Sequence, residues 1–241
     1  MSIKEYDITQ LIPKPSKVKR PSFFKEVRSV IQPIRLVAAF KGLSKAKAGE
    51  GRRILLFPGW KSHETVMLPV KAYLNRLGYD AQYWGLGFNN GRVEKYRDQM
   101  IERLTKEENK DKITLIGWSL GGLVAREVAR ALPHKIANVI TYGTPAVGGP
   151  RHTIGAKVYG AKEVQRIVDL QEELDATNPI RVPLSIIFTK KDSIVNWSAC
   201  LDKTSLDVKH FEVNSTHLSL GIDPSVWKII VQELENRIPM V

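Results

Sequence analysis

From Arg53 onward, short apolar runs alternate with amphipathic stretches, and this alternation restricts the fold more than any other feature of the chain. Ile54-Leu55-Leu56-Phe57 is apolar without interruption and stops at Pro58-Gly59, as a strand buried on both faces should. Glu64 to Leu77 carries Val66, Val70, Tyr73, Leu74 and Leu77 at helical spacing, and Gly78 closes it. The pattern repeats along the chain. Tyr79 to Trp84, Ile113 to Ile116, Ile136 to Tyr142, Pro183 to Thr189 and Val208 to Val213 read as strands. Val93 to Lys106, Ser119 to Leu132 and Ala161 to Ala176 read as helices. A last helix starts at Asp223-Pro224, an N-cap followed by proline at the first helical position, and runs to about Arg237. Six strands alternating with helices predict an α/β fold, a mostly parallel sheet with helices on both faces. Ligands of such sheets bind beyond the carboxyl ends of the strands.

The chemistry-bearing residues all follow strands. Gly117-Trp118-Ser119-Leu120-Gly121 is a Gly-x-Ser-x-Gly match, weak alone, but it joins a strand to a helix. A nucleophilic serine needs that strained turn to expose its hydroxyl above the sheet, and the flanking glycines clear the space. The hydroxyl also needs a base. His217 lies in Asn214-Ser215-Thr216-His217, directly after the strand Val208 to Val213. His210 is inside that strand, His134 follows the back end of a helix, and no strand holds His152. The orienting acid is expected between nucleophile and base. Asp192 fits, in Lys190-Lys191-Asp192-Ser193 after the strand Leu184 to Thr189. Asp169 is the competitor, while Asp202, Asp207 and Asp223 lie farther from a strand end. The two oxyanion donors are expected at the N–H groups of Leu120 and Trp60. Gly59, His63, Trp118 and Thr144 flank these positions and are read as substrate-binding. No His/Cys/Asp/Glu cluster has ligand spacing and no Gly-x-Gly-x-x-Gly opens a helix, so neither a metal nor another cofactor is expected.

These motifs resemble those of α/β hydrolases of the lipase and esterase kind. The likeness rests on Phe57-Pro58-Gly59-Trp60, Gly117-Trp118-Ser119-Leu120-Gly121-Gly122, Tyr142-Gly143-Thr144-Pro145, Thr189 to Val195 and Thr216 to Gly221. Trp84-Gly85-Leu86-Gly87 and the ending from His217 to Trp227 are similar to a bacterial subgroup near the GPI-inositol deacylase and lipase relatives. The resemblance implies the α/β-hydrolase fold, a Ser-Asp-His triad, an acyl-enzyme and hydrolysis of a carboxylic ester. Many lipases carry His-Gly at the oxyanion loop where this chain has Pro58-Gly59. Two other classes stay open: an acyltransferase on the same triad, and a non-catalytic lipid-binding module.

The formal charge of +12 is uneven. Residues 1–53 hold thirteen Lys/Arg against four acids, so residues 54–241 contribute only three of the surplus positive charges. Residues 1–52 therefore read as a basic extension preceding a catalytic domain over 53–241. Residues 1–21 are expected as a poorly ordered arm. Residues 22–47 carry Phe23, Val27, Val30 and Ile31 with Lys25 and Arg28 between them, the pattern of short basic amphipathic helices. Such a leader is either a solvated extension, helices packed outside the domain, or a segment for an anionic membrane surface. It has no zinc-finger spacing and no aromatic RNA-binding motif, which weighs against nucleic acid. Residues 146–182 form a long connection that is either a lid or an ordinary crossover with a long entry loop. Arg151, His152, Lys157 and Lys162 nearby suit an anionic headgroup, so the expected substrate is a small-molecule or lipid-like ester. The start lacks a signal-type apolar region, no stretch reaches the ~20 apolar residues of a spanning helix, and Cys200 is the single cysteine. Together these lead to an expected cytoplasmic location, peripheral to the membrane if the leader binds it.

Overall fold

The computed structural model describes residues 4–8, 14, 49–108 and 111–237. The amphipathic helices expected over 22–47, and most of the arm over 1–21, lie outside the described residues. Among the described residues eight strands form two sheets: β1 (Arg53–Phe57), β2 (Ser62–His63), β3 (Asp80–Tyr83), β4 (Phe88–Asn89), β5 (Ile113–Trp118), β6 (Ile136–Tyr142), β7 (Leu184–Phe188) and β8 (Val208–Glu212). The main sheet has the order β3-β1-β5-β6-β7-β8 and every neighbouring pair is parallel. The helices are α1 (Leu68–Arg76), α2 (Val93–Lys106), α3 (Leu120–Ala131), α4 (Ala156–Tyr159), α5 (Ala161–Thr177) and α6 (Pro224–Asn236). None of the described helices is long and apolar enough to cross a membrane.

Strand side chains alternate between two cores, as a period of two requires. Ile54, Leu56, Ile116, Ile140 and Ile187 face the layer that contains α1 and α6, where Tyr73 stacks on Trp227 at 4.9 Å. Leu55, Phe57, Leu115, Val139 and Ile186 face the layer of α2 and α3. The expected helices on both faces are thus present. The strand order reverses between β3 and β5, which places a crevice between the ends of β1 and β5.

Three local differences from the sequence reading have physical causes. The helix expected from Glu64 begins as a 3-10 turn over Glu64–Met67 and becomes α-helical at Leu68, with Pro69 in its first turn. The glycine-rich loop after β3 holds a short strand, β4, that pairs antiparallel with β2. Tyr6, expected within a poorly ordered arm, lies on the edge of β8. The Tyr6 N–H donates to the His210 carbonyl at 2.6 Å, and the Tyr6 ring meets Phe188 edge-on at 5.1 Å.

His210 is buried in β8, and its Nε2 has no partner among the described residues. Burial, with a smaller push from Arg126 against the pull of Asp202, lowers its pKa to about 4. Below the unfolded pKa of about 6.5 the unfolded chain binds a proton that the native state refuses, so stability falls with acid. Between pH 6.5 and 4 the loss is expected to reach about 3 kcal/mol. Urea unfolding of wild type and His210→Gln across that window checks it: the variant's slope should be flatter, and equal slopes would contradict the assignment.

Candidate active site

Strand register sets the site. Phe57 pairs with Gly117, Trp118 with Tyr142, Tyr142 with Ile187, and Phe188 with Glu212. The loops carrying Trp60, Ser119, Thr144, Asp192 and His217 therefore leave the sheet along a single rim.

Ser119 sits between β5 and α3 at φ 53°, ψ −122°, a conformation that non-glycine residues rarely adopt. Its surroundings over-determine it. The Ser119 N–H donates to the Tyr142 carbonyl at 2.9 Å. The Ser119 carbonyl accepts from the Gly122 N–H at 3.0 Å and from the Thr144 hydroxyl at 2.9 Å. A Cβ on Gly117 would strike the backbone of Gly122, one on Gly121 would strike the Phe57 carbonyl, and one on Gly122 would strike Thr144. The glycines thus allow strand, helix and neighbouring loops to approach closely enough to hold the turn.

His217 and Asp192 are joined by a 2.6 Å contact from Nδ1 to Oδ2, with only 3% and 1% of their side chains exposed. The other Asp192 oxygen accepts from the Ile194 and Val195 N–H groups at 2.8 and 2.7 Å. These bonds fix the direction of the carboxyl group. The Thr189 hydroxyl donates to the Ser215 carbonyl at 2.8 Å, tying the acid loop to the histidine loop. His217 packs toward the serine loop: its ring lies 6.0 Å from Trp118, and a Cβ on Gly143 would come within 3.1 Å of it. Gly143 follows Tyr142, the acceptor for the Ser119 N–H. A Cβ on Gly59 would lie 3.3 Å from the Trp118 ring and 3.6 Å from the Ser119 Cβ, so the loop after β1 closes the same space from its own side.

The Trp60 and Leu120 N–H groups have no acceptor among the described residues. Leu120 is the first residue of α3, where the helix dipole adds positive potential. Thr144 is fully buried with its hydroxyl on the Ser119 carbonyl, so the structure gives it the task of holding the turn. His63 is exposed and caps the 3-10 turn by accepting from the Thr65 N–H. Asp169 lies on α5 with Gln165 as partner. Cys200 is buried, and burial together with the nearby Asp192 charge pushes its thiol well up, out of reach of nucleophilic chemistry. No group of His, Cys, Asp and Glu suited to a metal occurs among the described residues.

Two features escaped the sequence reading. The segment after β6 is stitched to the acid loop: Val147 N–H to the Ala199 carbonyl, Ile154 N–H to the Ile194 carbonyl, and Asn196 N–H to the His152 carbonyl. Its far end reaches the loop after β1, where the Tyr159 and Trp60 rings lie 6.3 Å apart. The segment thus spans from the loop carrying Asp192 to the loop carrying Trp60. Second, Arg126 on α3 is buried in an ion pair with Asp202 at 2.7 Å. The Thr204-Ser205 that follows Asp202 is a local cap signature, but nothing near Arg126 in sequence announces its partner.

No protein-family model matches the chain. Among curated proteins it is similar to the pimeloyl-[acyl-carrier protein] methyl ester esterase of Shewanella woodyi, 30% identical over 99 residues, 39% of this chain and 36% of that protein. The enzyme of the same name from Aliivibrio salmonicida is 27% identical over 95 residues, again 39% and 36% of the two chains. The chain thus spans about a third of the length of these relatives. Solved structures match over most of the chain. The α/β hydrolase domain-containing protein 10 from mouse has a TM-score of 0.54 at 17% identity, covering 76% of this chain and 88% of its own. A monoacylglycerol lipase from Paleococcus ferrophilus has a TM-score of 0.56 at 18% identity, covering 80% and 97%. A lipase-esterase related protein from Clostridium acetobutylicum has 0.57 at 16%, also covering 80% and 97%. The chain has the α/β-hydrolase fold.

Proposed function

We propose that the protein is a serine hydrolase that cleaves a carboxylic ester, with Ser119 as nucleophile, His217 as base and Asp192 as the acid that orients it. The observation that carries this reading is the strained turn at Ser119, on the same rim as a buried His217–Asp192 pair. Strain of this kind persists where the surroundings enforce it for use. With Asp192 on Nδ1, the imidazole presents Nε2 to accept the Ser119 proton as Oγ attacks the ester carbonyl carbon. The oxyanion forms beside the Leu120 and Trp60 N–H groups. Collapse breaks the ester C–O bond, the alcohol leaves with the proton from His217, and water activated by the same histidine releases the acid.

The substrate is lipid-like in this reading. Eight large apolar side chains are exposed among the described residues, and all but Leu206 lie on segments beyond the carboxyl ends of the strands. Val66, Leu68, Phe88, Val147, Val158 and Leu218 are among them. An apolar rim around a crevice suits a partly apolar substrate or a lipid surface. The curated relatives are esterases by name, acting on a carrier-bound acyl methyl ester, which supports ester chemistry. The segment over 146–182 acts as a cap, and residues 1–52 bring the protein to an anionic membrane as a peripheral protein.

Labelling with a fluorophosphonate probe tests the chemistry: wild type should label and Ser119→Ala should not. Full-length protein should then turn over an acyl ester faster on vesicles containing anionic lipid than on neutral vesicles. Hydrolysis of short soluble esters with no gain on anionic vesicles would refute the membrane part.

A further inference from the structure

The loop that carries Asp192 leaves the sheet after Phe188, the last residue of β7, and ends where Trp197 opens a 3-10 turn over Trp197–Cys200. These two rings close the loop at its base: they stack with centroids 5.8 Å apart and planes 19° apart. A third ring joins them from the far end of the chain. Tyr6 meets Phe188 edge-on at 5.1 Å and Trp197 edge-on at 6.5 Å, both within the range where aromatic pairs attract. Lys190, inside the loop, places its Nζ 4.9 Å from the Tyr6 ring centre and 5.2 Å from that of Trp197, and pairs with Glu212 of β8 at 2.8 Å. The Tyr6 backbone is held as well, through its N–H on the His210 carbonyl. Tyr6, Ile194 and Trp197 all pack on the apolar core to which Phe188 and Val195 belong.

We infer that Tyr6 is a positioning residue for Asp192. The inference rests on the Ser119, His217 and Asp192 reading above and brings a residue of the N-terminal segment into it. Asp192 is aimed at His217 by the Ile194 and Val195 N–H groups on its other oxygen. Those amides lie between Asp192 and Trp197, so their place depends on where the Trp197 ring sits. Trp197 is only partly buried, and Tyr6 and Lys190 join Phe188 in holding it. At the other end of the loop, Thr189 is bonded to the Ser215 carbonyl of the histidine loop. Removing the Tyr6 ring leaves a gap beside Phe188 and Trp197 and takes from Lys190 one of its two aromatic faces. A shift of about 1 Å at a catalytic group is enough to cost on the order of 10^2-fold in rate. The six-stranded sheet is complete without residue 6, so the effect falls on the loop rather than on the fold.

The test compares Tyr6→Ala and Tyr6→Phe in the full chain. Phenylalanine keeps the ring and its contacts and should behave as wild type. Tyr6→Ala should lower kcat on p-nitrophenyl butyrate by about tenfold to a hundredfold, with KM changed by less than about twofold. Amide hydrogen exchange followed by NMR should quicken at Ile194 and Val195 in Tyr6→Ala and keep its wild-type rate at Leu115 and Ile116 of β5. Wild-type kcat together with wild-type exchange at Ile194 and Val195 in Tyr6→Ala overturns the inference. So does exchange that quickens equally in β5 with a lower unfolding temperature, because Tyr6 would then serve the whole fold. A Tyr6→Phe variant as slow as Tyr6→Ala overturns it too, since the ring would not be the group that matters. If wild type neither cleaves the ester nor labels with fluorophosphonate, the hydrolase reading fails instead, and exchange at Ile194 and Val195 still decides whether Tyr6 holds the loop.

Discussion

Ser119→Ala is expected to lower kcat/KM on an activated ester by on the order of 10^4-fold or more, with the protein still folded. The loss is large because no other described nucleophile occupies the turn at φ 53° above β5. His217→Ala should cost about as much, and the double variant little more than either single one, because in the proposed mechanism the two side chains serve a single proton transfer. Asp192→Asn should also fall by about 10^4. The carboxylate is held by Ile194 and Val195 N–H groups on one oxygen and faces His217 Nδ1 with the other, so an amide there presents the wrong partner to the ring. Steady-state kinetics of the three single variants and the Ser119→Ala/His217→Ala double check this. Multiplicative losses would mean that the groups act independently, against the proposed mechanism. Because alanine keeps the Cβ and the positive φ of position 119, stability should stay at the wild-type value, which urea unfolding reads directly.

The second large effect concerns folding. Arg126→Met is expected to destabilise the protein by about 3–5 kcal/mol, because it leaves the Asp202 carboxylate buried without its cation. Both side chains of the pair are 1% exposed. Burial alone would raise the Asp202 pKa, but the Arg126 guanidinium and the turn around Thr204 and Ser205 outweigh it and hold the carboxyl well below its usual range. Adding Asp202→Asn to Arg126→Met should return part of the loss, since Asn keeps an acceptor for the Thr204 and Ser205 N–H groups without the charge. Urea midpoints at constant m-value measure both. A cost under about 1 kcal/mol for Arg126→Met would show that the pair is not desolvated as the structure has it. The pair joins α3, which begins at the nucleophile turn, to the chain that follows the acid loop, so its loss should reach the site as well as the fold.

Much of this architecture was legible in the chain because its signals are local. Ile136 to Tyr142 reads as a strand and is β6, and the helix expected over Ala161 to Ala176 is α5, longer by a single residue. Asp223-Pro224 reads as a helix start, and Asp223 does cap α6 by accepting from the Ser225 N–H. The boundaries that moved did so for reasons of pairing or sterics. Glu64 was drawn into a 3-10 turn ahead of Pro69, and Phe88-Asn89 became a strand only because Ser62-His63 lies opposite. Such pairings have no signature in either segment alone.

At the site, the residue types and their order along the chain were determined by sequence: a serine on a strand-to-helix turn, then an acid and a histidine after later strands. That much follows from periodicity and glycine placement, which act over a few residues. Only the tertiary structure decided that Asp192 and His217 share a 2.6 Å contact, that Thr144 turns inward to hold the Ser119 carbonyl, and that Arg126 needs Asp202. It also decided that the segment after β6 is bonded to the loop carrying Asp192. The reason is the same in each case. These are contacts between side chains or backbones far apart in sequence, made favourable by the water they exclude, and that exclusion exists only once the sheet has brought the loops together.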